Sequence, residues 1–204
     1  MRTDRVILRS IFTTLLAVIV LFGIMLLTLF ALFPSTMAKI TYDIGLNESS
    51  VKYAERAYKR SDDVFYAAFA FETSILTEDS ATIEKNGLSL LADDEFAEYC
   101  KARNEEIAAN DKVSITYQQY VYGQVTMAQY SQGKITEAIS TACQSLNGAF
   151  PKNNAAAILY LTALKGADED TVTALTLKME QLQADDLSNE DRQYLQALLS
   201  LGEA

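Results

Sequence analysis

The sequence contains no histidine and no tryptophan among its 204 residues. Without histidine, Ser-His-Asp and Cys-His nucleophilic centres are excluded, and most metal sites and proton shuttles lose their usual group. Without tryptophan, a principal side chain for stacking on sugars is missing, and no carboxylate pair is singled out for glycoside hydrolysis. A glycine-rich phosphate loop is also lacking. We therefore expect a protein that is not an enzyme and that holds no cofactor and no metal.

Cysteine is scarce, with Cys100 and Cys143 far apart and not in CxxC spacing. One interpretation makes each a small, buried apolar residue on a helix. The alternative is a disulfide between them, because the domain that carries them is expected to face an oxidising space.

Positive charge is scarce beyond residue 33, where 14 Lys/Arg stand against 26 Asp/Glu, a net charge of −12. Such a domain is repelled by nucleic acid and by anionic headgroups. Nucleic-acid binding is therefore not expected.

A long uncharged apolar run extends over Ile11–Phe33. As a helix rising about 1.5 Å per residue it reaches roughly 35 Å, enough to cross a bilayer with some tilt. A cleaved signal peptide with Thr36-Met37-Ala38 as its cleavage site is the competing interpretation, but apolar regions of signal peptides are much shorter. The run is predicted to be an uncleaved transmembrane signal anchor.

Basic residues flank the run unevenly: Arg2, Arg5 and Arg9 precede it, and Lys39 is the nearest cation after it. The positive-inside rule then predicts a short cytoplasmic tail over 1–10, a transmembrane anchor over 11–33 and an extracytoplasmic domain over 34–204. The protein is predicted to be a single-pass membrane protein with its N-terminus in the cytoplasm.

Residues 34–204 carry a helical pattern. Apolar residues recur at spacings of three and four, as at Val51, Ala54, Ala57 and Tyr58, and Pro151 is the only proline after Pro34. Acidic clusters precede several predicted helices, and we interpret them as caps and dipole partners, since their spacing does not match a calcium-binding loop. These clusters are Asp62-Asp63, Glu78-Asp79, Asp93-Asp94-Glu95, Asp168-Glu169-Asp170, and Glu190-Asp191 after Ser188. The fold is predicted to be all-α.

A weak repeat is anchored on glycine. Gly45 is followed after five, nine and twelve residues by Ser50, Ala54 and Ala57, and Gly133 is followed at the same spacings by small residues. A third unit would turn at Gly166, thirty-three residues after Gly133. This pattern predicts helical hairpins whose small residues allow close approach of the second helix, namely Ala138, Ala142 and Ser145 in the second unit.

The pattern resembles the tetratricopeptide repeat, in which helix pairs of about 34 residues carry small residues at those positions and a proline near the end, here Pro151. Because the aromatic-Leu-Gly start is missing and 88 residues separate Gly45 from Gly133, the array is expected to be irregular, with irregular or longer hairpins in 63–119. The resemblance implies an irregular TPR-like helical-hairpin solenoid, which follows the single transmembrane helix predicted from the apolar run.

The resemblance also implies a peptide-binding concave face lined by the first helix of each hairpin. Its candidate partner-binding residues are Tyr42, Tyr120, Met127, Tyr130 and Tyr160, beside Lys39. Tyrosine suits such a groove because it offers a large apolar ring with a polar tip. The competing interpretation, which we favour, places these tyrosines in the core between packed helices.

The expected function is a membrane-tethered protein-interaction scaffold or adaptor that binds a protein or peptide outside the cytoplasm. The alternative is a self-associating structural subunit of a cell-envelope complex. A concave groove favours the first, and a large apolar surface with homo-oligomerisation favours the second.

Overall fold

The computed structural model describes residues 2–110, 115–146, 150, 152–182 and 187–202. Helices account for all of its regular secondary structure within these residues, which confirms the all-α prediction. In chain order they are α1 (Arg2–Leu32), α2 (Pro34–Asp43), α3 (Asn47–Ser61), α4 (Val64–Ile75), α5 (Ser80–Leu91), α6 (Phe96–Asn110), α7 (Tyr117–Ser131), α8 (Ile135–Gln144), α9 (Ala155–Lys165), α10 (Glu169–Glu180) and α11 (Asn189–Ser200).

The apolar run lies in α1, within which Arg9–Leu32 is long and apolar enough to cross a membrane. The helix begins at Arg2, so the residues before the run are helical as well. It ends one residue earlier than predicted, because Pro34 opens α2 and Phe33 occupies the position before it with φ −123° and ψ 63°.

Helix starts follow the acidic clusters at several predicted places. Asp63, Asp79 and Asp168 each accept a hydrogen bond from a backbone N–H of the helix that they precede. Ser188 does the same for α11 through the N–H of Asp191. These side chains satisfy N–H groups that have no partner within the helix, so the capping interpretation is confirmed at these sites.

Consecutive helices pack as hairpins, with α2 against α3, α4 against α5, α7 against α8, and α9 against α10. The turn of each hairpin contains a residue in the left-handed region: Gly45, Glu78, Gly133 and Ala167. Gly166 lies in the third turn as predicted, but its φ is −82°, and the left-handed residue there is its neighbour Ala167 with φ 54°. At Gly45, Gly133 and Ala167 the backbone forms the same pair of hydrogen bonds, which is the Schellman arrangement.

The four left-handed positions are separated by 33, 55 and 34 residues. The long interval contains α6, which packs against α7 and α4 at the side of the stack. Helix α5 packs on α7 directly, so the hairpins succeed one another across this insertion.

The small residues of the repeat are buried as expected. Ser50, Ala54, Ala138 and Ala142 have no exposed surface, and the Ser50 hydroxyl donates to the carbonyl oxygen of Ala38 across 2.8 Å. Ala57 and Ser145 are 3% and 4% exposed, respectively. Two larger apolar clusters form the core, one centred on α4, α5 and α7 and the other on α8 to α11.

Candidate partner-binding cleft

A cleft of about 410 Å³ lies between α4, α6 and α7. Two aromatic rings form one wall, and a carboxylate and a guanidinium stand beside them. The lining residues are Glu72, Arg103, Ile107, Ile115, Thr116, Tyr117 and Tyr120. The insertion α6 thus supplies one side of the cleft and the stacked hairpins supply the other.

The start of α7 is held in place by side chains that accept its free N–H groups. The Thr116 hydroxyl accepts from the N–H of Gln119 across 3.3 Å. The Asn104 side-chain oxygen, on α6, accepts from the N–H of Tyr117 across 2.7 Å. This second bond ties α6 to α7 and places Tyr117 and Tyr120 one turn apart at the cleft, with ring centroids 6.3 Å apart.

A short polar network spans the three helices of the cleft. The Tyr117 hydroxyl donates to Glu72 Oε1 across 2.9 Å, and Arg103 Nη2 lies 3.9 Å from the same oxygen. Arg103 Nη1 also donates to Glu106 across 2.6 Å. Burial and the neighbouring negative charge of Glu72 raise the pKa of Tyr117 above its ordinary value. Tyr117 therefore remains a hydrogen-bond donor at physiological pH.

The aromatic wall continues into the protein on both sides. Tyr99 packs edge to face on Tyr117 with ring centroids 5.7 Å apart, and Tyr120 packs edge to face on Phe71 at 6.3 Å. Burial, followed by the charge of Glu72, raises the pKa of Tyr99 to about 12 and raises that of Tyr120. Rings fixed by their neighbours lose little entropy when a ligand packs on them, which suits a recognition surface.

Of the residues predicted to bind a partner, Tyr120 lines this cleft and is half-buried. Tyr130 is at the other end of α7, about 15 Å away at 1.5 Å per residue, and its hydroxyl donates to Asp168 across 3.0 Å. Met127 lies between them on α7 and is also half-buried. The structure thus places these three side chains along one helix, with Tyr130 engaged by the turn before α10.

Tyr42 and Tyr160 lie apart from this cleft. Tyr160 is 1% exposed within the second core cluster, so its side chain has no surface for a partner, and the role predicted for it is corrected to core packing. Tyr42 is 43% exposed on α2 and packs edge to face on Phe69, with ring centroids 5.4 Å apart.

Sequence reasoning missed Glu72, Arg103 and Tyr117 as members of one site. They come from three helices and are separated by up to 45 residues, so no local spacing links them. Only Thr116, a favourable N-cap residue before the pattern of α7, gave a signal for where the helix starts.

A second concavity, of about 440 Å³, lies between α3 and α5, but it is lined by charged and small side chains around the Lys85–Glu55 ion pair of 2.8 Å. The cleft is the better recognition surface because it alone of these two offers aromatic rings. Within the described residues, no group of three or more Cys, Asp or Glu side chains is arranged to hold a metal ion. Comparison of the chain with family models, with curated proteins and with solved structures gives no match.

Proposed function

We propose that the protein is a non-catalytic, membrane-tethered interaction scaffold that binds a protein or peptide outside the cytoplasm through the cleft between α4, α6 and α7. The observation that carries this proposal is an apolar helix joined without a linker to stacked helical hairpins that present an aromatic cleft.

The anchor is supported by the length and exposure of α1. Its stretch Arg9–Leu32 is 24 residues long, or roughly 36 Å at 1.5 Å per residue, and none of its most apolar window is buried by the rest of the chain. An apolar helix that the protein leaves uncovered is stabilised by lipid. The arginines before the run favour a cytoplasmic N-terminus.

The hairpin stack is supported by the spacing of the left-handed turn residues. Two of the three intervals, 33 and 34 residues, match the length of a tetratricopeptide unit, and the third is longer by the α6 insertion. We therefore propose a TPR-like arrangement in which α2, α4, α7 and α9 are the first helices of successive units. The cleft lies on two of these first helices, α4 and α7, which is the side that carries ligands in that family.

The cleft offers the chemistry of peptide recognition. Tyr120 supplies apolar area with a polar tip, and the buried Tyr117, 4% exposed, supports it from behind. Ile107 and Ile115 supply aliphatic contact, and Arg103 with Glu72 supplies charge. Aromatic and arginine side chains contribute most of the energy at protein interfaces. Because the whole chain has a net charge of −10, a partner segment with positive charge is favoured during encounter.

Photocrosslinking in cells tests this function. A photoreactive amino acid replaces Tyr120 or Ile107 in the cleft, and Gln196 of α11, which is exposed on a different part of the chain, in the control. We expect one dominant crosslinked protein from both cleft positions and none of it from position 196. The absence of a specific product from the cleft, or an equal product from the control, contradicts the proposal.

Self-association is the second candidate, and one surface favours it. Helix α2 and the turn that follows it leave large apolar side chains uncovered: Ile40 is 44% exposed, Ile44 64%, Leu46 53% and Phe65 of α4 40%. Tyr42 belongs to the same surface. Clustered apolar exposure of this kind marks an interface.

Sedimentation of the full chain in detergent at several concentrations decides this second candidate. A concentration-dependent oligomer that Ile44→Asp dissociates supports self-association. Leu177→Asp on α10 is the matched control, because Leu177 is 56% exposed, and it should leave the oligomer intact. A monomer at all concentrations contradicts it and leaves the cleft proposal intact.

A further inference from the structure

Helix α3 lies against the C-terminal end of α1. Arg60 donates hydrogen bonds from its guanidinium to the carbonyl oxygens of Leu32 and Ala31, across 3.2 and 3.0 Å. The Tyr53 ring stacks on Phe30 of α1 with centroids 5.9 Å apart, and the Arg56 guanidinium lies 5.5 Å from the Tyr53 ring centre. Because Phe30 and Leu32 belong to the apolar helix, these contacts place α3 at the level where α1 would leave the bilayer.

The outer side of α3 carries both cations and carboxylates, with the arginines nearest to α1. At about 100° per residue, Arg56 and Arg60 project to the side of Tyr53 that faces α1, and Lys52 and Lys59 occupy the sector beside them. The carboxylates of Glu48 and Glu55 project to the far sector, where Glu55 pairs with Lys85 of α5. Arg56 and Arg60 are thus the cations nearest to α1. Lys52 and Lys59 form the border with the carboxylates, since Lys52 lines the concavity between α3 and α5 with Glu48 and Glu55, and Lys59 lies beside Glu55 in a neighbouring one.

The cations next to α1 carry no ion pair within the described part of the chain. Lys52, Arg56 and Lys59 are exposed, and the ion pairs among the described residues use other basic residues, whereas Arg60 is engaged by the carbonyl oxygens of α1. In a domain of net charge −12, this is a local concentration of unpaired positive charge. Its position beside an apolar helix indicates that the charge serves a ligand outside the protein.

We propose that the basic face of α3, formed by Lys52, Arg56 and Lys59, binds the phosphate groups of lipid headgroups on the bilayer surface where α1 emerges. Guanidinium and ammonium groups bind phosphate through charge-assisted hydrogen bonds, and tyrosine is enriched at the membrane interface. The inference rests on the proposal that α1 spans the membrane. It goes beyond that proposal because it orients the otherwise acidic domain, with one defined face on the lipid and the cleft free for a partner.

The test uses the full chain in nanodiscs, with a nitroxide on Ser49→Cys, one turn before Tyr53 on the same side of α3. Cys100 and Cys143 are replaced by alanine so that the label is unique. Nickel chelated to lipid headgroups relaxes a nitroxide that is close to the bilayer surface. We expect strong relaxation at position 49, and weak relaxation for a label at Ser140→Cys, which is exposed on α8.

Charge is then varied on both sides of the contact. In discs with anionic phosphatidylglycerol, replacing Lys52, Arg56 and Lys59 by glutamine is expected to lower the relaxation at position 49 at least twofold. In phosphatidylcholine discs the same variant is expected to show a smaller change. The matched control replaces three other exposed lysines by glutamine and is expected to leave the signal unchanged: Lys101, Lys165 and Lys178.

The outcomes separate the inference from the proposal beneath it. If the chain resists carbonate extraction but the variant leaves the relaxation at position 49 unchanged, the headgroup site is overturned and the anchor stands. If the control variant lowers the signal equally, general charge rather than the α3 face is responsible, and the inference is again overturned. If carbonate extracts the chain, the membrane anchor itself is wrong.

Discussion

Gly87 of α5 and Val125 of α7 approach each other so closely that a Cβ atom on Gly87 would overlap Cγ2 of Val125. The same atom would lie 3.1 Å from the Phe71 ring of α4. Gly87 is therefore the point at which α4, α5 and α7 close around one core. This contact lets α5 pack on α7 although α6 lies between them in the sequence.

Gly87→Ala is expected to destabilise the fold by about 1–3 kcal/mol, the usual cost of overpacking a core. The matched control is Gly123→Ala, a buried helical glycine whose added Cβ would meet only Ile158 Cδ1 at 3.6 Å. That variant is expected to be neutral or to gain up to about 1 kcal/mol, because alanine favours the helix. Urea unfolding of the full chain in detergent, followed by circular dichroism, measures both. Equal stability of the two variants would contradict the account of Gly87.

The sequence allowed the helical pattern, several caps and three of the turns to be predicted, two of them at the left-handed residue itself, because each depends on neighbouring residues. Periodic apolar residues, Asp63 or Asp168 before a helix, and glycine at a left-handed turn are local signals. The turn at Glu78 carried no such signal, since glutamate rarely adopts φ 57° and is held there by the hairpin around it.

The cleft could not be predicted because it depends on contacts between distant helices. Tyr117 fits the helical apolar pattern of α7, and Glu72 looks like a solvated residue in an apolar helix. The contact between Tyr117 and Glu72 forms at the place where α6 packs beside the hairpins and brings Arg103 next to both side chains. Tyr120 was identified from its position on a first helix, whereas Tyr160 on another first helix proved to be core, since packing decides which tyrosines remain exposed.

Glu84 makes the stability of the fold dependent on pH. The carboxylate is 8% exposed on α5 and accepts hydrogen bonds from Gln129, Gln132 and Lys134. Burial acts to raise its pKa, but the bonds from Lys134 and the two glutamines outweigh burial, and the pKa is lowered overall. The ionised form is therefore favoured in the folded state, which stabilises the protein above the ordinary glutamate pKa of about 4.3.

We expect Glu84→Gln to cost about 1–3 kcal/mol at pH 7, with a difference from wild type that shrinks as the pH falls below about 4. The difference shrinks in acid because protonation of Glu84 removes the stabilisation that its ionised carboxylate gives to the wild type alone. Urea unfolding at several pH values between 3 and 7 measures it. The control is Glu98→Gln, an exposed carboxylate on α6. A difference that grows on acidification would contradict the assignment.

The two thiols are expected to react slowly in the folded protein. Cys100 is buried and Cys143 half-buried, and both are free, so the disulfide alternative is not realised in this structure. Burial raises the pKa of Cys100 to about 12 and also raises that of Cys143. Because the thiolate is the reactive form, Cys100 at pH 8 has roughly one thiolate in ten thousand. Reaction with a chromogenic disulfide should be at least tenfold slower in native protein than in urea, and equal rates would contradict this.

Arg60 is expected to stiffen the junction between α1 and the hairpins. The last carbonyl groups of a helix lack partners, and Pro34 has no N–H to offer them. Arg60 supplies donors to Ala31 and Leu32, and its charge lies at the negative end of the α1 dipole. Loss of these exposed bonds should cost about 1 kcal/mol.

Arg60→Gln in nanodiscs should therefore raise amide hydrogen exchange over 33–38 by roughly fivefold, the equivalent of about 1 kcal/mol. Arg60→Lys keeps the charge but replaces the planar guanidinium by one ammonium group. Its exchange rate should therefore lie between those of the wild type and Arg60→Gln. Lys165→Gln, a remote exposed lysine, should leave exchange at the junction unchanged. If Arg60→Gln exchanges like wild type, the junction is held by Phe30 and Tyr53 packing, because that ring contact would then suffice to fix α3 against α1.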